Sequence, residues 1–318
     1  MTPEQRHFDT FGFLVVRQLL APDQVAAVSA AFDAVMLEDR QGQPFDKLER
    51  QIVSDWFQSH PDAAFLENDE RVTSRIEELL GPDAALQAGN DGNYYVGDTL
   101  WHPDLGWDPS IPAGENDPYR LAGNMTRHYQ PSIKVAFYLD PVDQDSGCLR
   151  VIAGSHRNPF HDKLWSLHLD IPDRARVLDH VAPRLLEMWE RDTGGSDGGE
   201  RLLTDPRVNH LGLAPENVPS VALESQPGDA VFFSHQLWHA AFGGDDKRRQ
   251  GVVVYYEDPQ TEAATHSVKK AMAGNHQLFS SLGRELYSGY WRNLDDPQHK
   301  HWIARLAELD CLDTPVAN

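Results

Sequence analysis

The sequence has few cysteines and no long apolar run. Its 318 residues include two cysteines, Cys148 and Cys311, too few for the disulfide framework of a small secreted protein. No apolar segment approaches the roughly 20 residues that cross a bilayer, and the N-terminus lacks the cationic start and apolar centre of a signal peptide. We therefore expect a protein of the reducing cytoplasm.

Basic residues are also scarce. The chain has 28 Lys and Arg against 49 Asp and Glu, which gives a formal net charge of -21. A surface of this sign repels nucleic acid phosphates and anionic lipids. We expect neither nucleic acid nor membrane as a partner and a small molecule as the substrate. The sequence leaves the oligomeric state open.

Short strand-like runs separated by turns fill the middle of the chain, and helical patterns lie at both ends. The clearest strand is the apolar run from Ile133 to Leu139, which Asp140 and Pro141 end. Further strands are predicted at 84–88, 94–99, 148–152, 221–224, 230–233 and 251–256. This arrangement predicts a mostly β protein with helices, in which a double-stranded β-helix (jelly-roll, cupin-like) core is buttressed by N- and C-terminal helices.

One stretch interrupts this pattern. Residues 105–128 are rich in Pro, Gly, Asp and Asn and show no period. A connection of this length inside a domain is usually functional or disordered. We predict a lid over a site, inserted in a single domain that spans residues 1–318.

A His-x-Asp motif directly precedes this lid. His102 and Asp104 follow an apolar, strand-like run, and side chains two residues apart on a strand point to the same face. The other three His-x-Asp pairs of the chain lie in helix-like stretches, where such side chains diverge. The context therefore singles out His102 and Asp104 as half of a metal site.

A second histidine is available at the end of another strand. Residues 226–239 have the pattern of a turn, a buried strand and a polar end, at which His235 and His239 both lie. Either could supply the second imidazole. Two histidines and one carboxylate on one face of a metal form the facial triad of non-haem iron(II) oxygenases, which leaves positions open for ligands.

An arginine pair follows ten residues later. Arg249 begins a strand whose residues 249, 251, 253 and 255 share one face, and Arg248 belongs to the opposite face. An arginine near a metal can hold a carboxylate through two parallel charged hydrogen bonds. We predict that Arg249 is the anchor for an acidic co-substrate, with Arg248 as the alternative.

Together these motifs resemble the phytanoyl-CoA dioxygenase-like family of Fe(II)/2-oxoglutarate-dependent oxygenases. The resemblance runs from residue 8 to residue 256. Its most specific segments, in chain order, are Trp101-His102-Pro103-Asp104, then 134–141 with 146–149 and 154–156, then Pro227-Gly228-Asp229 leading to His239 and Arg249. The resemblance implies that His102, Asp104 and His239 bind iron and that Arg249 binds the distal carboxylate of 2-oxoglutarate.

A few further positions qualify this resemblance. Family members often carry a hydroxyl residue two positions after the distal histidine, where this chain has Ala241. Related halogenases replace the carboxylate ligand with a small residue, so the presence of Asp104 favours oxygenation. Gln87, Asn90 and Asn93 lie on or near a strand expected to face the site. Among these we take Gln87 as a candidate contact of the co-substrate, the alternative being a solvated loop residue.

The resulting hypothesis is an enzyme, a non-haem iron dioxygenase that uses O2 and 2-oxoglutarate to hydroxylate a C–H bond of a small or medium metabolite. Succinate and CO2 would be the co-products, and ascorbate the reductant in vitro. The same triad also serves desaturation, epoxidation and ring formation. The motifs are also compatible with a non-catalytic jelly-roll that binds a ligand or metal, and with a zinc hydrolase, because zinc accepts the same ligands. The substrate is not readable from the sequence.

Overall fold

Two antiparallel β-sheets form the centre of the molecule, as predicted. The structure is a computed structural model. It describes residues 1–45, 51–54, 56–57, 60, 62–81, 84–94, 97–104, 131–161, 163–164, 218–244, 248–281, 285–287 and 289–312. The predicted lid at 105–128 lies outside these residues. No helix in the described part of the chain has both the length and the apolar character of a transmembrane span.

The larger sheet has six strands in the order β1-β8-β5-β10-β3-β2. Their bounds are β1 Phe13–Val16, β2 Gln51–Ser54, β3 Ala85–Tyr94, β5 Ser132–Tyr138, β8 Ala230–Ser234 and β10 Arg249–Tyr256. Nearly every residue of β5, β8 and β10 is buried, so these three central strands are covered on both faces.

The smaller sheet has four strands in the order β4-β9-β6-β7. Their bounds are β4 Gly97–His102, β6 Leu149–Val151, β7 Val221–Leu223 and β9 His239–Gly244. The chain passes from β8 in the larger sheet to β9 in the smaller one through residues 235–238, where the Leu237 N–H donates to the Ser234 carbonyl. This short crossover brings the start of β9 close to the end of β8.

Helices lie at both ends of the chain, again as predicted. They are α1 Pro3–Phe11, α2 Pro22–Asp39, a 3-10 helix at Ala64–Glu67, α3 Glu70–Leu80, α4 Glu262–Ser281, α5 Gly289–Arg292 and α6 Pro297–Glu308. Side chains at the N-caps define several starts: Thr2, Asp69 and Asp296 each accept from a backbone N–H of the first turn. α2 buries its apolar stripe, including Val28 and Phe32, in the main core.

One strand prediction was wrong in its extent. The sequence predicted strands at 84–88 and 94–99, but β3 continues to Tyr94, and β4 follows at 97–102. The intervening polar and glycine residues look like a turn, yet they pair with β10 on one side and β2 on the other. At Gly92 a Cβ would lie 2.7 Å from both Met36 and Trp56, so glycine lets the strand pass against the packed core.

Candidate metal centre

His102 and His239 face each other across two neighbouring strands. They are register partners at the end of β4 and the start of β9, and their ring centroids are 4.4 Å apart. Asp104 lies two residues beyond β4, with Oδ1 3.9 Å from His102 Nε2 and Oδ2 3.6 Å from His239 Nε2. One ligand atom from each of the three residues lies within 4.8 Å of the others.

Backbone contacts set the orientation of the His239 ring. Its Nδ1 is 2.8 Å from the Leu237 carbonyl oxygen, an acceptor, so Nδ1 carries the proton and Nε2 presents its lone pair toward Asp104 and His102. Burial lowers the pKa of His239 to about 3, although the nearby Asp104 opposes this shift. The imidazole is therefore neutral at physiological pH, as a metal ligand must be.

Asp104 is held as a carboxylate. Burial by itself would raise its pKa, but the Lys134 ammonium holds the pKa well below its ordinary value. Lys134 Nζ lies 2.8 Å from Oδ1. Oδ2 is buried and has no hydrogen-bond partner among the residues that the structure describes. Since a buried, unsatisfied carboxylate oxygen is costly, this atom fits a missing positive partner, and two imidazoles plus one carboxylate oxygen suit a divalent transition metal.

His235, the rival second histidine, does not join this cluster. Its Nδ1 is 2.8 Å from the Ser132 hydroxyl, and its ring contacts Tyr256. Burial lowers the pKa of His235 to about 3, so it acts as a neutral buried histidine. The structure therefore brings together His102, Asp104 and His239.

A cavity of about 110 Å³ adjoins the three side chains. Its wall includes Arg248, which is 2% exposed, together with Gln250, Asp91 and Lys134. The aromatic ring of Phe233 also lines it and packs against His239 at a centroid distance of 5.2 Å. The cavity thus combines an apolar side with charged groups able to orient a small acid.

The structure does not bring Arg249, the predicted anchor, to the cavity. Its Nε and Nη2 donate to the two carboxylate oxygens of Asp140 at 3.0 and 2.7 Å, and its Nη1 donates to Asp33 at 2.8 Å. These bonds raise the pKa of Arg249 and tie β10 to α2. The sequence correctly assigned the two arginines to opposite faces of the strand, but Arg248 is the one that faces the cavity.

Residues 8–250 match the sequence model of the phytanoyl-CoA dioxygenase (PhyH) family. The chain belongs to this family. The match confirms the predicted resemblance and, with it, the general class of iron- and 2-oxoglutarate-dependent oxygenases. No curated protein sequence matches the chain.

Several solved structures are similar to this chain at low sequence identity. HygX from Streptomyces hygroscopicus, crystallised with nickel and 2-oxoglutarate, is 16% identical with a TM-score of 0.50, over 80% of this chain and 87% of that one. The carbocyclase SnoK of nogalamycin biosynthesis is 17% identical with a TM-score of 0.49, over 81% of this chain and 84% of that one. The epimerase SnoN of the same biosynthesis is 14% identical with a TM-score of 0.47, over 80% and 81%.

The structure also locates three further residues that the sequence analysis singled out, Gln87 by its backbone alone. Gln87 lies in β3 opposite Val254, but its side chain is outside the described part of the structure. Asn90 donates to the buried carboxylate of Glu67. Ala241, where relatives often have a hydroxyl residue, lines the cavity.

Sequence reasoning missed Lys134, Asp91 and Gln250 as residues of the cavity. For Lys134 a signal existed, because it is the single charged residue in the apolar strand β5. A charge in the middle of a buried strand requires a partner. Asp91 and Gln250 carried no comparable signal, since they lie in segments that mix polar and apolar residues.

Proposed function

We propose that this PhyH-family protein hydroxylates a C–H bond of a small or medium metabolite, with Fe(II) held by His102, Asp104 and His239 and with 2-oxoglutarate as co-substrate. The observation that carries the proposal is the convergence of the three ligand atoms beside a cavity that a buried arginine lines. In the same proposal Arg248, rather than Arg249, holds the distal carboxylate of 2-oxoglutarate.

The charges around the cavity support a dicarboxylate. Among the described residues that line it, Lys134 and Arg248 are basic and Asp91 and Asp104 are acidic, so their formal charges cancel. A divalent metal would leave two uncompensated positive charges, and a dianion such as 2-oxoglutarate would cancel them. Because buried net charge is costly, the metal and the dianion stabilise each other in this cavity.

The bound iron would supply the oxidising chemistry, in which O2 and 2-oxoglutarate give succinate, CO2 and an oxidised C–H bond. The protein supplies orientation and exclusion of water. Neutral His239 presents Nε2, Asp104 presents an unsatisfied oxygen, and Arg248 offers the planar fork that matches a carboxylate. Phe233 keeps one side of the cavity apolar.

The deciding experiment measures metal content and succinate formation from 2-oxoglutarate under air, with and without added Fe(II) and ascorbate. We expect Fe(II)-dependent succinate from the wild-type protein, its loss in His239→Ala, and its retention in His301→Ala, an exposed histidine on α6. Tight zinc binding without 2-oxoglutarate binding would contradict the proposal and support the hydrolase alternative.

Isotope labelling separates hydroxylation from desaturation and ring formation, and NMR of the product separates it from epoxidation, which also inserts an oxygen atom from O2. Once a substrate is found, turnover under labelled O2 should place one labelled oxygen atom in the product and the other in succinate. Desaturation or ring formation would give a product without the label. The second result would leave the metal centre intact but replace hydroxylation as its reaction.

A further inference from the structure

Lys134 occupies an unusual place for a charged side chain. It lies within β5, which pairs with β8 on one side and β10 on the other, and the other residues of this strand are buried. Its neighbours across the sheet are Phe233 and Val254. The Lys134 side chain is only 22% exposed, and the desolvation of its ammonium group is unfavourable unless it has an anionic partner.

Asp104 is that partner, and the contact is asymmetric. Lys134 Nζ lies 2.8 Å from Oδ1 of the carboxylate, whereas Oδ2 is buried and accepts no hydrogen bond from the described part of the chain. Oδ2 is also the oxygen on the side of His239, 3.6 Å from its Nε2. The two oxygens of one ligand therefore have different environments before any metal arrives.

We propose that Lys134 is a positioning residue that keeps Asp104 a one-oxygen ligand of the metal. The ammonium holds Oδ1 by a charge-assisted hydrogen bond and repels a cation from that oxygen, which leaves Oδ2 to coordinate. This role rests on metal binding by the three residues in the proposed function.

The number of open metal positions follows from this arrangement. Two imidazoles and one carboxylate oxygen occupy three of the six positions of an octahedral ion, so three stay open, as in other facial triads. A carboxylate bound through both oxygens would occupy a fourth position. Two positions would then remain, enough for the keto-acid end of 2-oxoglutarate but not for dioxygen as well. Lys134 thereby preserves the third open position.

The test compares Co(II)-loaded wild-type protein with Lys134→Met and Lys134→Arg, without 2-oxoglutarate, by crystallography of the metal site. Met removes the charge and keeps an unbranched side chain, while Arg keeps the charge. We expect Asp104 to bind through Oδ2 alone in the wild type and in Lys134→Arg, with Oδ1 on the basic side chain. In Lys134→Met we expect both oxygens on the metal. Lys269→Met, which removes a surface lysine paired with Asp310, is the control for loss of a lysine.

Calorimetric titration of 2-oxoglutarate into the same Co(II)-loaded proteins gives a second readout. We expect Lys134→Met to bind it about tenfold more weakly, because the cavity wall loses one of its two basic side chains. Lys134→Arg and Lys269→Met should bind it as the wild type does. One-oxygen binding by Asp104 in Lys134→Met, or loss of the contact between Lys134 and Asp104 in the metal-loaded wild type, would overturn the proposed role alone. Failure of the wild type to bind Co(II) at the three residues would overturn the metal centre as well.

Discussion

Arg248 and Arg249 are consecutive in sequence but serve opposite sides of the same sheet. Arg248 lines the cavity beside the three candidate metal ligands, and Arg249 makes a two-pronged ion pair with Asp140. Side chains alternate along a strand, so the two positions cannot exchange roles without a shift of register. Arg248 thus lies on the cavity side, while Arg249 joins the sheet to α2 through Asp33.

The first prediction tests which of the two arginines binds 2-oxoglutarate. Arg248→Met should raise the dissociation constant for 2-oxoglutarate roughly tenfold to a hundredfold, the loss of about 1.5–3 kcal/mol from a hydrogen bond to a charged group. Arg249→Met should leave that constant nearly unchanged but lower the free energy of unfolding by about 1–2 kcal/mol, because it removes the bonds to Asp140. Calorimetric titration and denaturant unfolding measure the two effects. Weaker 2-oxoglutarate binding in Arg249→Met alone would restore Arg249 as the anchor.

The second prediction concerns Gly147, whose φ is +88° in the turn before β6. A Cβ there would lie 2.8 Å from Arg248 Cδ and 3.0 Å from the Gly244 Cα, so the smallest side chain displaces the arginine. Gly147→Ala should weaken 2-oxoglutarate binding severalfold. Gly42→Ala is the matched control, since Gly42 also has a positive φ of +78° but has open space around it. Both changes should cost about 1 kcal/mol of stability, and equal 2-oxoglutarate affinities would show that Gly147 does not position Arg248.

The third prediction tests Asp104 without changing its shape. Asp104→Asn should keep the circular dichroism spectrum of the wild type, because the amide occupies the same volume. It should lose nearly all bound iron, since an amide oxygen is a weaker ligand than a carboxylate. Metal analysis of the purified proteins measures this, with the exposed Asp145→Asn as the control. Wild-type iron content in Asp104→Asn would remove Asp104 from the ligand set.

The fourth prediction is a pH dependence of stability that arises away from the metal centre. The buried carboxylate of Glu67 accepts from His299 Nε2 at 2.9 Å and from Trp291 Nε1 at 3.2 Å, and so joins the 3-10 helix to α5 and α6. Burial by itself would lower the pKa of His299, but the bonds and charges of Glu67 and Asp296 raise it above its ordinary value of 6.5.

Because the pKa of His299 is raised in the folded state, the His299–Glu67 pair stabilises the fold. Its full contribution is present at pH values below the pKa that the imidazole has in the unfolded chain. The contribution is lost as the pH rises through the folded pKa. His299→Gln should therefore be less stable than the wild type by about 3 kcal/mol near pH 6, and the difference should shrink toward pH 9. Denaturant unfolding across this range measures it. A difference that does not change with pH would show that His299 is neutral in the folded protein.

Several elements could be predicted because their causes are local. α2 has an apolar period after Pro22, α3 ends at Gly81, and β5 is an apolar run before Asp140 and Pro141. His102 and Asp104 stood out because a strand-like run precedes them. β3 was predicted too short, since its glycine and polar residues match a turn, and only its pairing with β2 and β10 makes it one strand.

The sequence by itself determined the β-rich architecture with helices at the ends, the candidate ligand motif and the family, because each depends on short-range pattern or on the order of motifs. Tertiary structure decided which residues meet. Strand periodicity tells which side chains share a face but not which face looks toward the cavity, and that choice depends on how two sheets pack. For this reason only the folded chain turned Arg248 to the cavity in place of Arg249 and brought Lys134 against Asp104, whereas the family resemblance had already implied His239 as the second histidine.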